Sequence, residues 1–164
     1  EMQYLINSKN NPGEIQNFLV TLVNTIGVPV IQIGTPKVVD VWKKSLAQLR
    51  RAQQGGCIFW DRMKKDKFWN FFIKAMWDFQ WLKEPTPFDE KLNNALYDNS
   101  QGITAIAVCL FSLAQIEAIY SHTEKITCEI IEKVAKDDLR LTYKLIRAIK
   151  NNNKALIRLS LIHI

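Results

Sequence analysis

The chain has 164 residues and a mass of 19.0 kDa, about the size of one domain, which excludes a long multidomain enzyme. Its 48% hydrophobic and 23% charged residues exclude a disordered or collagen-like polymer. The 22 Lys and Arg exceed the 16 Asp and Glu, and the net charge of +6 favours polyanionic partners such as nucleic acid. A solvated basic surface that touches no nucleic acid would explain the charge equally well.

The first third of the chain predicts helices and buried strands. Apolar residues spaced by three and four predict a helix over 13–26, and a second helix is predicted over 36–52. The β-branched run 28–33, which Gly34-Thr35-Pro36 ends, predicts a buried strand, and the apolar run 57–60 predicts another. A helix followed by a strand rich in Val and Ile is typical of a parallel sheet. We therefore expect part of an α/β fold in residues 1–61.

Beyond residue 61 the periodicity is helical, which predicts an all-α bundle over 65–150. Predicted helices cover 101–120 and 139–150, and another begins after Thr127, whose side chain suits the N-cap. The aromatic segment 68–81 suits the core of this bundle, although aromatic side chains can also stack on nucleobases. Asn151-Asn152-Asn153 breaks the pattern and leaves 151–164 as a tail without an assigned element.

Several kinds of site are excluded by the residues present. The three cysteines are widely spaced with no CxxC pair, and there are two histidines, so we expect no disulfide framework, no metal site and a cytoplasmic location. No apolar stretch reaches the ~20 residues of a membrane span. No GxxxxGK[ST] loop and no Ser-His-Asp constellation occurs, so the chain is not expected to be an enzyme by itself.

Two polar features remain as candidate sites. Thr35 follows the predicted strand, at the end where open α/β sheets bind ligands, although it could simply cap the next helix. Arg50 and Arg51 end a predicted helix, where they complement the helix dipole or could clamp an anion on a neighbouring subunit.

A series of short segments carries a resemblance to a known family. They are EMQYL at 1–5, FLVTLVN at 18–24, GVPVIQIGTPK at 27–37, the Arg50-Arg51 pair, WDRM at 60–63, QW at 80–81, PTP at 85–87 and QGIT at 101–104. Over 1–150 the chain resembles the C-terminal half of a TnsC-type (TniB-like) AAA+ ATPase, the transposition regulator of transposons with a heteromeric transposase. The absence of a starting Met and of the phosphate loop agrees with a fragment.

The resemblance implies an α/β fold, with the C-terminal part of an AAA+ P-loop NTPase core, a parallel sheet with flanking helices, in 1–61 and a helical lid in 65–150. It implies that Glu1 is the Walker B acid that polarises the attacking water, beside a preceding Asp that helps to hold Mg²⁺. Thr35 matches sensor 1, and Arg50 or Arg51 matches the arginine finger that acts on ATP of the adjacent protomer. Gly102 matches the lid motif at the nucleotide.

Two departures from the family accompany the resemblance. Without the phosphate loop the fragment should neither bind ATP tightly nor hydrolyse it alone. The residues after Gly102 are Ile103-Thr104-Ala105-Ile106, with no sensor 2 arginine, so no contact from the lid to the γ-phosphate is expected.

The implied function is ATP-dependent regulation of DNA transposition. Such a regulator forms a homo-oligomeric ring or filament on DNA, selects a target together with a target-selector protein, and recruits or activates the transposase, with ATP hydrolysis as the timer. Two alternatives stay open. The chain could be a non-catalytic helical adaptor or scaffold, or it could belong to an AAA+ regulator of a different partner.

Overall fold

The computed structural model describes residues 12–35, 46–53 and 55–157. The chain divides into two units, Glu1–Phe59 and Trp60–Ile164. In the first unit, α1 covers Pro12–Ile26 and α2 covers Leu46–Gln53. α1 confirms the helix predicted over 13–26, and it ends at Gly27, whose φ of +72° and N–H bond to the Val23 carbonyl (2.9 Å) are typical of a helix C-terminus.

The predicted α/β class with a parallel sheet is wrong for this structure. No residue within the described ranges lies in a strand, and 28–33 and 57–60 have no regular secondary structure. Ile31 is 86% exposed and Ile33 is 72% exposed. A parallel strand is stabilised by hydrogen bonds to neighbouring strands and by burial on both faces. The described residues supply neither to 28–33, so β-branched composition alone does not make this segment a strand.

The second unit is an α-helical bundle. Its helices are α3 Lys67–Trp77, α4 Glu90–Ser100, α5 Thr104–Tyr120, α6 Cys128–Asp137 and α7 Arg140–Lys150. The core between them is built from large buried side chains on each of the first four helices. Among them are Trp69, Ile73, Leu96, Leu110 and Ile131. The helices predicted over 101–120 and 139–150 are confirmed, except that the first begins at Thr104 because Gln101 and Gly102 form a turn.

The aromatic segment of α3 divides between core and surface. Trp69 and Trp77 share one helix face with Ile73 at a spacing of four, and all three are buried. Phe68 and Phe71 lie on the other side of the helix and are 63% and 75% exposed. The prediction that the segment 68–81 belongs to the core is therefore confirmed for Trp69 and Trp77 and wrong for these phenylalanines and for Trp81, which is 68% exposed.

Side-chain caps explain where three of these helices begin. A side-chain oxygen accepts hydrogen bonds from first-turn backbone N–H groups at Asp66 before α3, Asp89 before α4 and Thr127 before α6. These bonds satisfy backbone donors that have no partner inside the helix. The predicted N-cap role of Thr127 is confirmed. Within the ranges that the structure describes, no helix has the length and apolar character required to cross a bilayer.

Thr127→Ala should destabilise the helical unit by about 1 kcal/mol, because the Ile130 N–H loses its acceptor. Chemical denaturation followed by tryptophan fluorescence measures this. Thr104→Ala is the matched control, because Thr104 begins α5 and its hydroxyl makes no hydrogen bond to the described part of the chain. Equal losses for the two variants would contradict the capping role.

The first turn of α6 also predicts a pH dependence. The pKa of Glu129 lies below its ordinary value of 4.5 because its own backbone N–H and the Thr127 hydroxyl donate hydrogen bonds to the carboxylate. A depressed pKa contributes stability above the unfolded value, and that stability is lost as the pH falls through the folded value. In pH-dependent denaturation, the stability difference between the wild type and Glu129→Gln should therefore shrink on acidification below about 4.5. A stability difference that stays constant across this pH range would contradict the role of these two hydrogen bonds.

Candidate functional site

The residues predicted to act on ATP fall in different parts of the chain. Glu1 lies outside the described residues. Thr35 is exposed in an irregular segment, and Arg50 is exposed on α2. The backbone of Arg51 belongs to α2, and its side chain lies outside the description. Gly102 belongs to the helical unit, whereas Thr35 and Arg50 belong to the first unit.

Gly102 lies in a tight turn between α4 and α5. Gln101 and Gly102 both adopt positive φ, at +51° and +77°. The Gln101 N–H donates to the Tyr97 carbonyl at 2.6 Å, and the Ile103 N–H donates to the Ser100 carbonyl at 3.1 Å. The chain thus leaves α4 and begins α5 within three residues.

The segment that opens the helical unit docks on this turn. The Met63 N–H donates to the Gly102 carbonyl at 2.8 Å. A Cβ at Gly102 would overlap the Met63 carbonyl oxygen and lie 2.9 Å from its carbonyl carbon. Glycine is therefore required at position 102 for two reasons, which are the positive φ and the close approach of two backbones.

Two further side chains hold the same junction. The Tyr97 hydroxyl donates to the Met63 carbonyl at 3.2 Å, and Arg62 Nη1 donates to the Gln101 carbonyl at 3.3 Å. The WDRM and QGIT segments, about forty residues apart in sequence, thus form one contact. We name it the Met63–Gly102 junction, made of Arg62, Met63, Tyr97, Gln101 and Gly102.

The QW and PTP segments form a second contact. Gln80 Nε2 donates to the Thr86 carbonyl at 3.0 Å, and Gln80 Oε1 accepts from the Thr86 N–H at 2.8 Å. The Trp77 indole N–H donates to the same Thr86 carbonyl at 2.7 Å. The Thr86 hydroxyl in turn accepts from the Ile126 N–H at 2.9 Å. The loop between α3 and α4 is therefore fastened to the end of α3 and to the start of the α6 region.

Sequence reasoning missed the importance of Gln115. Its side chain is 1% exposed within α5, where its Oε1 accepts from the Trp81 N–H at 2.8 Å and its Nε2 donates to the Phe79 carbonyl at 3.3 Å. It supplies one acceptor and one donor to the same loop. The signal that could have revealed it is a lone amide within an otherwise apolar stretch of α5.

Metal-binding groups and cysteine thiols are the remaining candidates for chemistry among the described residues. The described part of the chain has no group of three or more His, Cys, Asp or Glu placed to hold a metal ion. The three cysteines are free thiols. Burial and the nearby Glu129, Asp89 and Glu132 carboxylates raise the pKa of the Cys128 thiol, so it stays protonated at neutral pH and is a weak nucleophile.

No protein-family model matches the chain, and no curated protein matches it.

Gly102→Ala should lower the free energy of unfolding by about 3 kcal/mol or more, because the new Cβ meets the Met63 backbone as well as an unfavourable φ. Gly27→Ala is the control. Gly27 has nearly the same φ of +72°, but nothing lies within 4 Å of its built Cβ, so its cost should be about 1–2 kcal/mol. Denaturation of both variants followed by far-UV circular dichroism, which reports on the helices of both units, measures the difference. A small loss at Gly102 would contradict the close approach.

Proposed function

We propose that this chain is part of an ATP-dependent regulator of DNA transposition that acts in the cytoplasm, and that its helical unit is the lid of that regulator. One observation supports this most. The segments of the helical unit that carry the family resemblance pair with each other in space, WDRM with QGIT at the Met63–Gly102 junction and QW with PTP through Gln80 and Thr86. The resembling residues therefore supply two of the hydrogen-bonded contacts between segments of this unit.

In this proposal the complete protein is the ATPase, and the helical unit is not catalytic by itself. Glu1 polarises the attacking water, Thr35 contacts the γ-phosphate or the water, and Arg50 or Arg51 stabilises charge on ATP of a neighbouring protomer in a homo-oligomer. Gly102 shapes the lid turn at the nucleotide. ATP and Mg²⁺ would be held mainly by residues upstream of this chain.

The exposure of Arg50 supports the role in a neighbouring protomer. An arginine finger must extend from its own subunit to reach a nucleotide that another subunit holds. Arg50 is exposed on α2 of the first unit, where its guanidinium is accessible. The partners of the assembled regulator are DNA, transposase subunits and a target-selector protein, and the net charge of +6 suits the DNA.

A second candidate is a non-catalytic helical adaptor or scaffold. The observation that favours it is that all regular secondary structure in the described ranges is helical, while large aromatic side chains such as Phe71 and Trp81 are 75% and 68% exposed. Such side chains are common at protein interfaces. A regulator with the same ATPase chemistry and a partner other than a transposase is a third candidate, which partner binding distinguishes.

ATP turnover by the complete parent protein, with and without DNA, separates these candidates. DNA-stimulated turnover is expected, and Glu1→Gln should lower it by about 100-fold or more while ATP binding and assembly persist, because the amide cannot act as the base. No turnover in the parent would favour the scaffold. Turnover that Glu1→Gln leaves unchanged would contradict the role of Glu1.

The double change Arg50→Ala and Arg51→Ala should lower turnover of the assembled parent by on the order of 10³-fold, because loss of a finger removes charge stabilisation in the transition state. Arg140→Ala is the control. It removes an exposed arginine from the helical unit and should leave turnover near that of the wild type. An equal effect of both changes would indicate that overall charge, and not a finger, governs turnover.

A further inference from the structure

A polar surface pocket lies between α3 and α4. Its volume is about 470 Å³, and its lining includes Lys65, Asn70, Lys74, Glu90 and Asn93. Phe88 and Asn94 complete the lining. This is enough space for a small polar ligand, and none of the residues assigned to ATP chemistry above belongs to it.

A chain of hydrogen bonds fixes the direction of two amides at this pocket. The Trp69 indole N–H is only a donor, and it donates to Asn93 Oδ1 at 2.7 Å. Asn93, which is 5% exposed, must therefore use its NH₂ group on the other side, and its Nδ2 donates to Asn70 Oδ1 at 2.8 Å.

The same series of hydrogen bonds determines which polar group of Asn70 is available to a ligand. Its oxygen is engaged by Asn93, and its NH₂ group makes no hydrogen bond to the described part of the chain. The orientation of an amide follows from its hydrogen-bond partners. The bond from Trp69 orients Asn93, and Asn93 in turn orients Asn70 so that its NH₂ group faces the solvent side as a donor. Asn70 is itself exposed, so that donor is accessible.

The charged side chains of the pocket favour an anion. Lys65 and Lys74 provide donors only, and neither forms an ion pair within the described residues. Lys65 Nζ lies 5.6 Å from the centre of the Tyr97 ring, and Lys74 Nζ lies 5.8 Å from the centre of the Phe88 ring. Glu90 is the one carboxylate among the described lining residues, so two positive charges exceed one negative charge.

We propose that this pocket binds a phosphate group, with Asn70 Nδ2 and the ammonium groups of Lys65 and Lys74 as its hydrogen-bond donors. A phosphate oxyanion offers several acceptors and negative charge, which match an amide donor beside two lysines. The phosphate can come from free phosphate or from the backbone of DNA. The chemistry is the same in both cases, and it does not depend on the proposed ATPase function.

Titration of the 164-residue chain with inorganic phosphate tests the pocket directly. The ionic strength is held constant with sodium chloride, and the side-chain amide signals of Asn70 and Asn93 are followed by NMR. Both signals should shift with a common saturation curve, since Asn70 donates to the ligand and Asn93 donates to Asn70. A parallel titration with a short DNA duplex tests the second source.

Three substitutions make the test specific. Asn70→Asp keeps the oxygen that Asn93 needs but replaces the donor by a negative oxygen, and it should weaken binding by about tenfold or more. Lys74→Gln should weaken it by about threefold. Glu90→Gln should strengthen it by about threefold, because it removes the opposing charge.

Asn151→Asp is the matched control for Asn70→Asp. It adds the same charge at an exposed asparagine at the end of α7, outside the pocket, and it should change binding less than twofold by screened electrostatics. Denaturation midpoints of all variants check that the bundle stays folded.

The two titrations together identify the source of the phosphate. If Asn70→Asp weakens binding of inorganic phosphate alone, the ligand is free phosphate. If it weakens binding of the duplex, with or without inorganic phosphate, the ligand is the DNA backbone. If it weakens neither relative to Asn151→Asp, or if no ligand binds, the proposal is overturned.

Discussion

The Met63–Gly102 junction is the constraint on which the arrangement of the helical unit depends. It joins the segment that precedes α3 to the turn that separates α4 from α5, through backbone atoms that only glycine allows to approach so closely. Asp66, three residues after Met63, then begins α3 by capping it. The position at which α3 starts relative to α4 is therefore set by a backbone contact, before any core side chain is considered.

Side-chain contacts along the two helices follow from that position. The Trp69 ring packs edge-on against the Tyr97 ring, with centroids 5.0 Å apart, and its indole N–H reaches Asn93. An indole donor left without a partner in the core would cost about 1–3 kcal/mol. A shift of α3 by one residue would separate Trp69 from Asn93, so this polar pair disfavours other alignments of α3 that apolar packing alone would tolerate.

The sequence predicted the elements whose signals are local. The N-cap Thr127 and the apolar spacing of 13–26 determine helix ends and faces within a few residues, and the structure confirms both. The sheet prediction failed at 28–33 because a strand depends on partners that its own residues cannot reveal. The exposure of Phe68 and Phe71 was not predicted either, because aromatic side chains occur on more than one side of α3 and the packing of the bundle decides which side is covered.

In the candidate site, too, local features could be predicted from the sequence and contacts between distant segments could not. Gly102 was predicted as a special residue through resemblance, but its contact with Met63, about forty residues earlier, follows from tertiary structure alone. Gln115 and Asn93 were missed, since a buried amide is recognised only when its hydrogen-bond partners are known. Such residues form hydrogen bonds between segments that are distant in the sequence, and no local sequence pattern indicates which segments will meet.

α4 separates the two functional regions proposed for the helical unit. The phosphate pocket uses its N-terminal end, at Glu90 and Asn93, and the Met63–Gly102 junction uses its last turn, at Tyr97, and the turn that follows it. Eleven residues of helix span about 16 Å at 1.5 Å per residue, too far for one phosphate group to touch both ends. Lys65 lines the pocket, and its Nζ lies 5.6 Å from the centre of the ring of Tyr97, which donates to the Met63 carbonyl. A ligand in the pocket can therefore influence the junction through Lys65 and Tyr97, or by moving α4 or α3 as a body. The junction ties both helices to Met63, so such a movement would be transmitted to the start of the unit, where the chain joins residues 1–59.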